Sequence, residues 1–290
     1  MAEPPTFSRS DYDKQLADFE SVLLAAMKIS TTLGGIYTTW RNIRATQLYT
    51  RMTISSFTFT SLLPGSRRHP RRDEFWDWPS VASVARNIIE AYLLYFYTGI
   101  DQIPEEEARF RLELFTYHIN SEKYRLYSDW KAGQDVLRPF EDGLPRSREA
   151  LKAHPFFNSL TQPQRDRAIS GKSPTYLSRD ELIARLPFDG SELKPFYRFL
   201  SNQTHTTPFS FFSQSNQRGR GEENEAERGY ILFATRLVWK YLSAAAIGTE
   251  RMFPDHYATT KDAELLNALA TAKSALDQAI KGDEIGRAHV

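Results

Sequence analysis

The run VASVARNIIEAYLLYFYTGI, residues 81–100, limits what this chain can fold into. It is apolar on nearly every side of a helix, and its only charges are Arg86 and Glu90. A helix without a polar face belongs in the middle of a fold. Its two charges then need partners, because an unpaired buried charge is very costly. The expectation is an all-α multi-helix bundle around this buried central helix, with a polar cluster in its core. A second apolar run, residues 230–248, holds Arg236 and Lys240 near its middle. Central charges cost about 2.5–3.5 kcal/mol each on insertion into a bilayer. Both runs therefore read as core helices, and no membrane partner is expected.

With 290 residues, 41% of them hydrophobic, the chain is long enough for one large helical domain over 1–283. The formal net charge of +1 gives no global field for nucleic acid or acidic membranes. The absence of cysteine excludes disulfides, thiol chemistry and cysteine-ligated zinc. The first residues, MAEPPTFSRSDYDK, lack the basic and apolar regions of a secretory signal, so a cytoplasmic location is expected. The last seven residues, EIGRAHV, are what a common sequencing-adapter oligonucleotide encodes in one frame. Residues 284–290 are therefore expected to be a non-native tail, and His289 enters no functional argument.

Helical spacing of Leu16, Phe19, Leu23 and Met27 predicts a first helix over 11–30, capped by Ser10 with Asp13. A second helix is expected over 36–62, between Gly34-Gly35 and Pro64-Gly65. Arg67, Arg68, Arg71 and Arg72 follow in a loop that reads as solvated, or as a local anion or nucleic-acid contact. Ser80 is expected to cap the central helix. Pro104 with Glu105, Glu106 and Glu107 marks the start of a helix running to Trp130. From 131 to 190 six prolines break the pattern, predicting an insert or lid of short helices near 146–153, 163–170 and 179–186. Further helices are expected over 191–205, 225–251 and 261–281, with a mobile loop over 213–228.

The candidate site joins the central helix to the segment PFYRFLSNQTH, residues 195–205. Arg86 and Glu90 lie one turn apart on one helix face. Arg198 and His205 are seven residues apart, about two turns, and so share a face. Ser201 and Asn202 lie between them. An arginine to hold phosphate and a histidine to move a proton form a ribonuclease-compatible pair. The competing reading is a histidine that hydrogen-bonds the Arg86–Glu90 network and serves structure. No H-E-x-x-H, G-x-x-x-x-G-K, G-x-G-x-x-G or nucleophile elbow is present, and the histidines lack metal-ligand spacing. No metal or cofactor is expected.

The run SVARNIIEAYLLYFY followed by PFYRFLSNQTH resembles a widespread bacterial helical family of unknown function. That family carries an R-x-x-x-E helix and a later Y-R-x-L-S-x-x-x-H helix. The matching residues are Arg86, Glu90, Tyr197, Arg198, Leu200, Ser201 and His205. The resemblance implies an all-helical fold and supplies no activity. A more distant similarity is to the HEPN ribonucleases of toxin and phage-defence systems, marked by R-x(4–6)-H on a bundle helix at a dimer interface. Arg198 and His205 fit that spacing, although Phe199 stands where the family usually has a polar residue. Arg111/His118, Arg148/His154 and Arg251/His256 fit it too.

The leading expectation is thus a cytoplasmic bacterial interaction or accessory protein, acting with a protein partner or as a homodimer. The alternatives are a HEPN-like, metal-independent ribonuclease acting on RNA, and a small-molecule binding protein. In the nuclease, Arg198 would hold phosphate, His205 would move the proton and Glu90 would orient the histidine. In a binding pocket Arg86, Tyr197, Ser201 and Asn202 would contribute.

Overall fold

In a computed structural model of the chain, helices account for the ordered elements. The structure describes residues 7–68, 74–205, 207–212 and 219–287, with backbone alone for Phe212 and residues 282–287. Arg71, Arg72, His289 and the first part of the expected 213–228 loop lie outside the described residues. Among the described residues there is no β-strand, and one isolated bridge joins Trp76 to Gly221. The protein is an all-α multi-helix fold, as the apolar periodicity required.

The chain divides into two compact units, Met1–Phe96 with Pro187–Val290, and Tyr97–Leu186. In the first unit, α1 is Arg9–Thr31, α2 is Trp40–Thr60 and α3 is Trp78–Tyr95. The cap of α1 is Ser8 paired with Asp11, two residues earlier than Ser10 with Asp13. Asp77, not Ser80, caps α3, because Pro79 sits in the first turn and the Asp77 carboxylate accepts from the Ser80 amide. After Tyr95 the helix loosens into one π turn, Phe96–Ile100.

The second unit holds α4 (Glu105–Asp129), α5 (Gln134–Ala153), a 3-10 turn (Pro155–Ser159), α6 (Gln162–Ile169) and α7 (Arg179–Ala184). It is larger than the insert expected at about 131–190, since it takes in α4 as well. Helix α5 also runs through Pro139 and Pro145, which the sequence suggests as breaks. Each proline leaves a carbonyl four residues earlier without its helical donor. Those carbonyls belong to Asp135 and Glu141, both exposed, so water can satisfy them.

The first unit resumes with α8 (Leu193–Thr204), α9 (Pro208–Phe212), α10 (Glu225–Met252), α11 (Pro254–Ala258) and α12 (Ala263–Arg287). Helix α10 packs on α1, α3 and α12, and α3 packs on α2, α8 and α10. Tyr95 donates its hydroxyl to the Ala245 carbonyl of α10 across 3.0 Å. By length and composition α10 could cross a membrane, yet 89% of its apolar window is buried inside the fold. Its central Lys240 is buried as well, and donates to Glu192 at 2.7 Å and to the Asp189 carbonyl at 2.8 Å. A buried ammonium is tolerable because both partners are in place.

Candidate functional site

Helix α3 buries Val81, Ala82, Ala85, Ile88, Ile89 and Tyr92, but it is not closed on every side. Arg86 is half-buried, and Asn87 and Glu90 are exposed. The expected buried cluster is therefore corrected to one at a solvent edge, where α8 meets α3. The Arg86 side chain keeps 17% of its surface exposed and that of Glu90 43%. Water at this edge removes the need for a fully dry ion pair. Two charges in an apolar sequence thus mark a border, not the centre.

The two helices touch through one guanidinium. Arg86 donates from Nε and Nη2 to Glu90 Oε1, at 3.2 and 3.0 Å. The same Nη2 donates to the Tyr197 hydroxyl at 3.0 Å, and the guanidinium lies 5.0 Å from the centre of that ring. Tyr197 in turn donates its proton to Glu90 in a short hydrogen bond. Burial raises the Tyr197 hydroxyl above its ordinary range, and the bond to Glu90 raises it further, so it stays a donor. Arg86 Nη1 lies 3.0 Å from His205 Nε2. Burial alone would lower the Arg86 guanidinium, but Tyr197 and Glu90 more than offset this and raise it.

That last contact fixes the histidine tautomer. A guanidinium has donors and no acceptor, so His205 must accept at Nε2 and carry its proton on Nδ1. His205 is the residue at which α8 ends, and it is exposed. The atom a nuclease would use as base is already occupied by Arg86.

The remaining candidates lie outside this cluster. Arg198 is exposed, and among the described residues its side chain makes no bond to His205. Asn202 serves the helix end: it donates to the Arg198 carbonyl at 2.9 Å and accepts from the Thr207 hydroxyl at 2.7 Å. Ser201 is half-buried and its carbonyl accepts from the His205 amide at 3.2 Å. Of the competing arginine–histidine spacings, Arg111 is committed elsewhere and His154 accepts from the Phe156 amide that opens the 3-10 turn. Among the described residues no group of three histidine, aspartate or glutamate side chains could hold a metal ion.

A second ionic cluster, inside the second unit, escapes sequence reasoning. Arg111 donates to Asp101 at 2.6 Å, to Glu107 in a shorter contact, and to the Tyr97 carbonyl at 2.6 Å. Tyr176 donates to Glu107 at 2.5 Å, and Arg185 reaches Asp101 at 3.0 Å. The side chains of Arg111, Asp101 and Glu107 are 4%, 9% and 7% exposed. Burial pushes the Tyr176 hydroxyl up to about 12, and its bond to Glu107 adds to the shift. The Glu105–Glu107 run opens α4 as expected, with Glu105 and Glu106 exposed and Glu107 buried. The π turn places the Tyr97 carbonyl that Arg111 needs. The signal available was the four-residue spacing of Glu107 and Arg111, which is also that of an ordinary surface pair.

Compared with known proteins, the chain matches no family model, no curated protein and no solved structure.

Proposed function

We propose that this is a cytoplasmic bacterial interaction or accessory protein whose Arg86–Glu90–Tyr197–His205 cluster is a structural clamp. The observation that carries this reading is the occupancy of Arg86. Four of its five N–H donors go to Glu90, Tyr197 and His205, and the Glu90 carboxylate balances its charge. The clamp holds the C-terminal end of α8 against α3. Directly beyond it, α9 presents Phe209 and Phe211 to solvent, at 59% and 50% exposure. Two exposed aromatic rings on a fixed support form the kind of anchor on which protein partners dock. A second copy of the chain or another protein would occupy that anchor.

The test is expression of the wild type beside His205→Ala, with cell growth and RNA integrity as readouts. The two should behave alike, with His205→Ala folded and slightly less stable. RNA cleavage by the wild type alone would contradict the clamp. It would favour the HEPN-like ribonuclease, which has one observation in its support: Arg198 and His205 are both open to solvent. A protein partner recovered by the wild type should be lost on Phe209→Ser with Phe211→Ser.

A further inference from the structure

Residues 21–72 contain no aspartate or glutamate, but they hold Lys28 and seven arginines. Much of that segment is α2, whose outer side is unusually apolar for a free surface. At 100° per residue, Trp40, Arg44, Gln47, Arg51, Ile54 and Thr58 fall within an arc of about 80° along about 27 Å of helix. Trp40 is 51% and Ile54 63% exposed, and Phe57 borders the stripe. The Arg44 guanidinium stacks 4.0 Å from the centre of the Trp40 ring, and Arg68 lies 5.3 Å from that of Phe57. Among the described residues, no ion pair neutralises Arg44, Arg51, Arg67 or Arg68. The acid of α1 that reaches this end, Glu20, accepts from the Ser66 hydroxyl at 2.8 Å.

We infer that the outer face of α2 is a peripheral docking surface for an anionic lipid bilayer. Charge complementarity and shape both favour that occupant. Within α2, Arg44 and Arg51 lie toward one flank of the exposed arc and Ile54 and Phe57 toward the other, where Arg68 covers Phe57. This is the segregation an interfacial helix uses, with apolar side chains at the acyl boundary and cations at the headgroup phosphates. A straight, convex face meets a plane along its whole length. A nucleic-acid strand fits less well. Trp40 and Phe57 are about 25 Å apart along the axis, whereas stacked bases repeat every ~3.4 Å. Ile54, between them, has no ring to stack. The contact is lateral adsorption and leaves α10 buried in the fold.

The experiment is co-sedimentation of the full chain with vesicles of phosphatidylcholine alone and of equimolar phosphatidylcholine and phosphatidylglycerol. Binding should appear with the anionic vesicles, weaken with salt, and be absent from phosphatidylcholine alone. Each surface arginine contributes about fivefold in affinity, so Arg44→Gln with Arg51→Gln should weaken binding by about 30-fold. Trp40→Ser with Ile54→Ser should weaken it independently of salt. All four positions are on the outer arc, so circular dichroism should show both variants folded. The inference is overturned by equal binding to the two vesicle types, by no binding, or by binding that both variants retain. Binding of a single-stranded oligonucleotide but not of vesicles, lost in the arginine variant, would also overturn it and assign the face to nucleic acid.

Discussion

The two ionic clusters use the same parts and differ in their access to water. In the first unit, Arg86 joins Glu90, Tyr197 and His205 at an open edge. In the second, Arg111 joins Asp101, Glu107 and Tyr176 in the interior, with Arg185 at its margin. Each has a tyrosine hydroxyl donating to a carboxylate that also accepts from an arginine. The consequences of losing one member differ. At the open edge, water replaces the missing partner, and a surface pair is worth on the order of 1 kcal/mol or less. In the interior nothing replaces it, and the charge left behind is uncompensated. An arginine–carboxylate–tyrosine group is therefore a firm anchor or an adjustable latch according to its solvent access.

The contrast breaks most clearly at Glu107. Glu107→Gln leaves Arg111 and Arg185 with Asp101 as their one shared carboxylate and should cost about 3–5 kcal/mol, read as a shift in the urea midpoint. A loss of only about 1–2 kcal/mol, the range expected at Arg86, would make the two clusters equivalent. Alkaline titration gives the next largest effect. The Tyr176 hydroxyl titrates near 12 when folded and near 10 when unfolded. A raised folded value contributes stability below pH ~10 that is lost as the pH rises through ~12. Its share is about 2 kcal/mol after allowance for solvent screening. Tyr176→Phe should remove that share of the alkaline loss, measured as stability against pH; an unchanged profile would place the hydroxyl in water. At the open edge, Arg86→Gln should cost about 1–2 kcal/mol, and raising the salt concentration should narrow the gap to wild type. The smallest effect belongs to Arg198→Gln, expected within about 0.5 kcal/mol of wild type. A larger loss would place Arg198 in the clamp.

Much of this was legible in the sequence, for reasons that differ from element to element. Helices α1, α3, α8 and α10 were readable because an apolar stripe has a period and each end has a cap or breaker. The pairing of α3 with α8 was readable because Arg86 and Glu90 are conspicuous in an apolar run. What the sequence did not show is which side of α3 meets water, since that depends on how α8 covers it. Arg111 was hidden by its company: in EEEARFRLE a buried charge resembles a solvated one. Its partner Tyr97 sits in the preceding π turn and Tyr176 far along the chain, and no local pattern brings them together. Pro139 and Pro145 misled because a proline's penalty depends on burial of the carbonyl it strands, which no local pattern records.

The clamp rests on the ring nitrogen that Arg86 occupies, and the tautomer of His205 reports it. Long-range proton–nitrogen correlation of the imidazole, at a pH where the ring is neutral, tests it directly. The expected result is a proton on Nδ1 with Nε2 accepting, shifting toward a mixed population in Arg86→Gln. A proton on Nε2 in the wild type would contradict it, because that nitrogen could not accept from Arg86 and the cluster would not close.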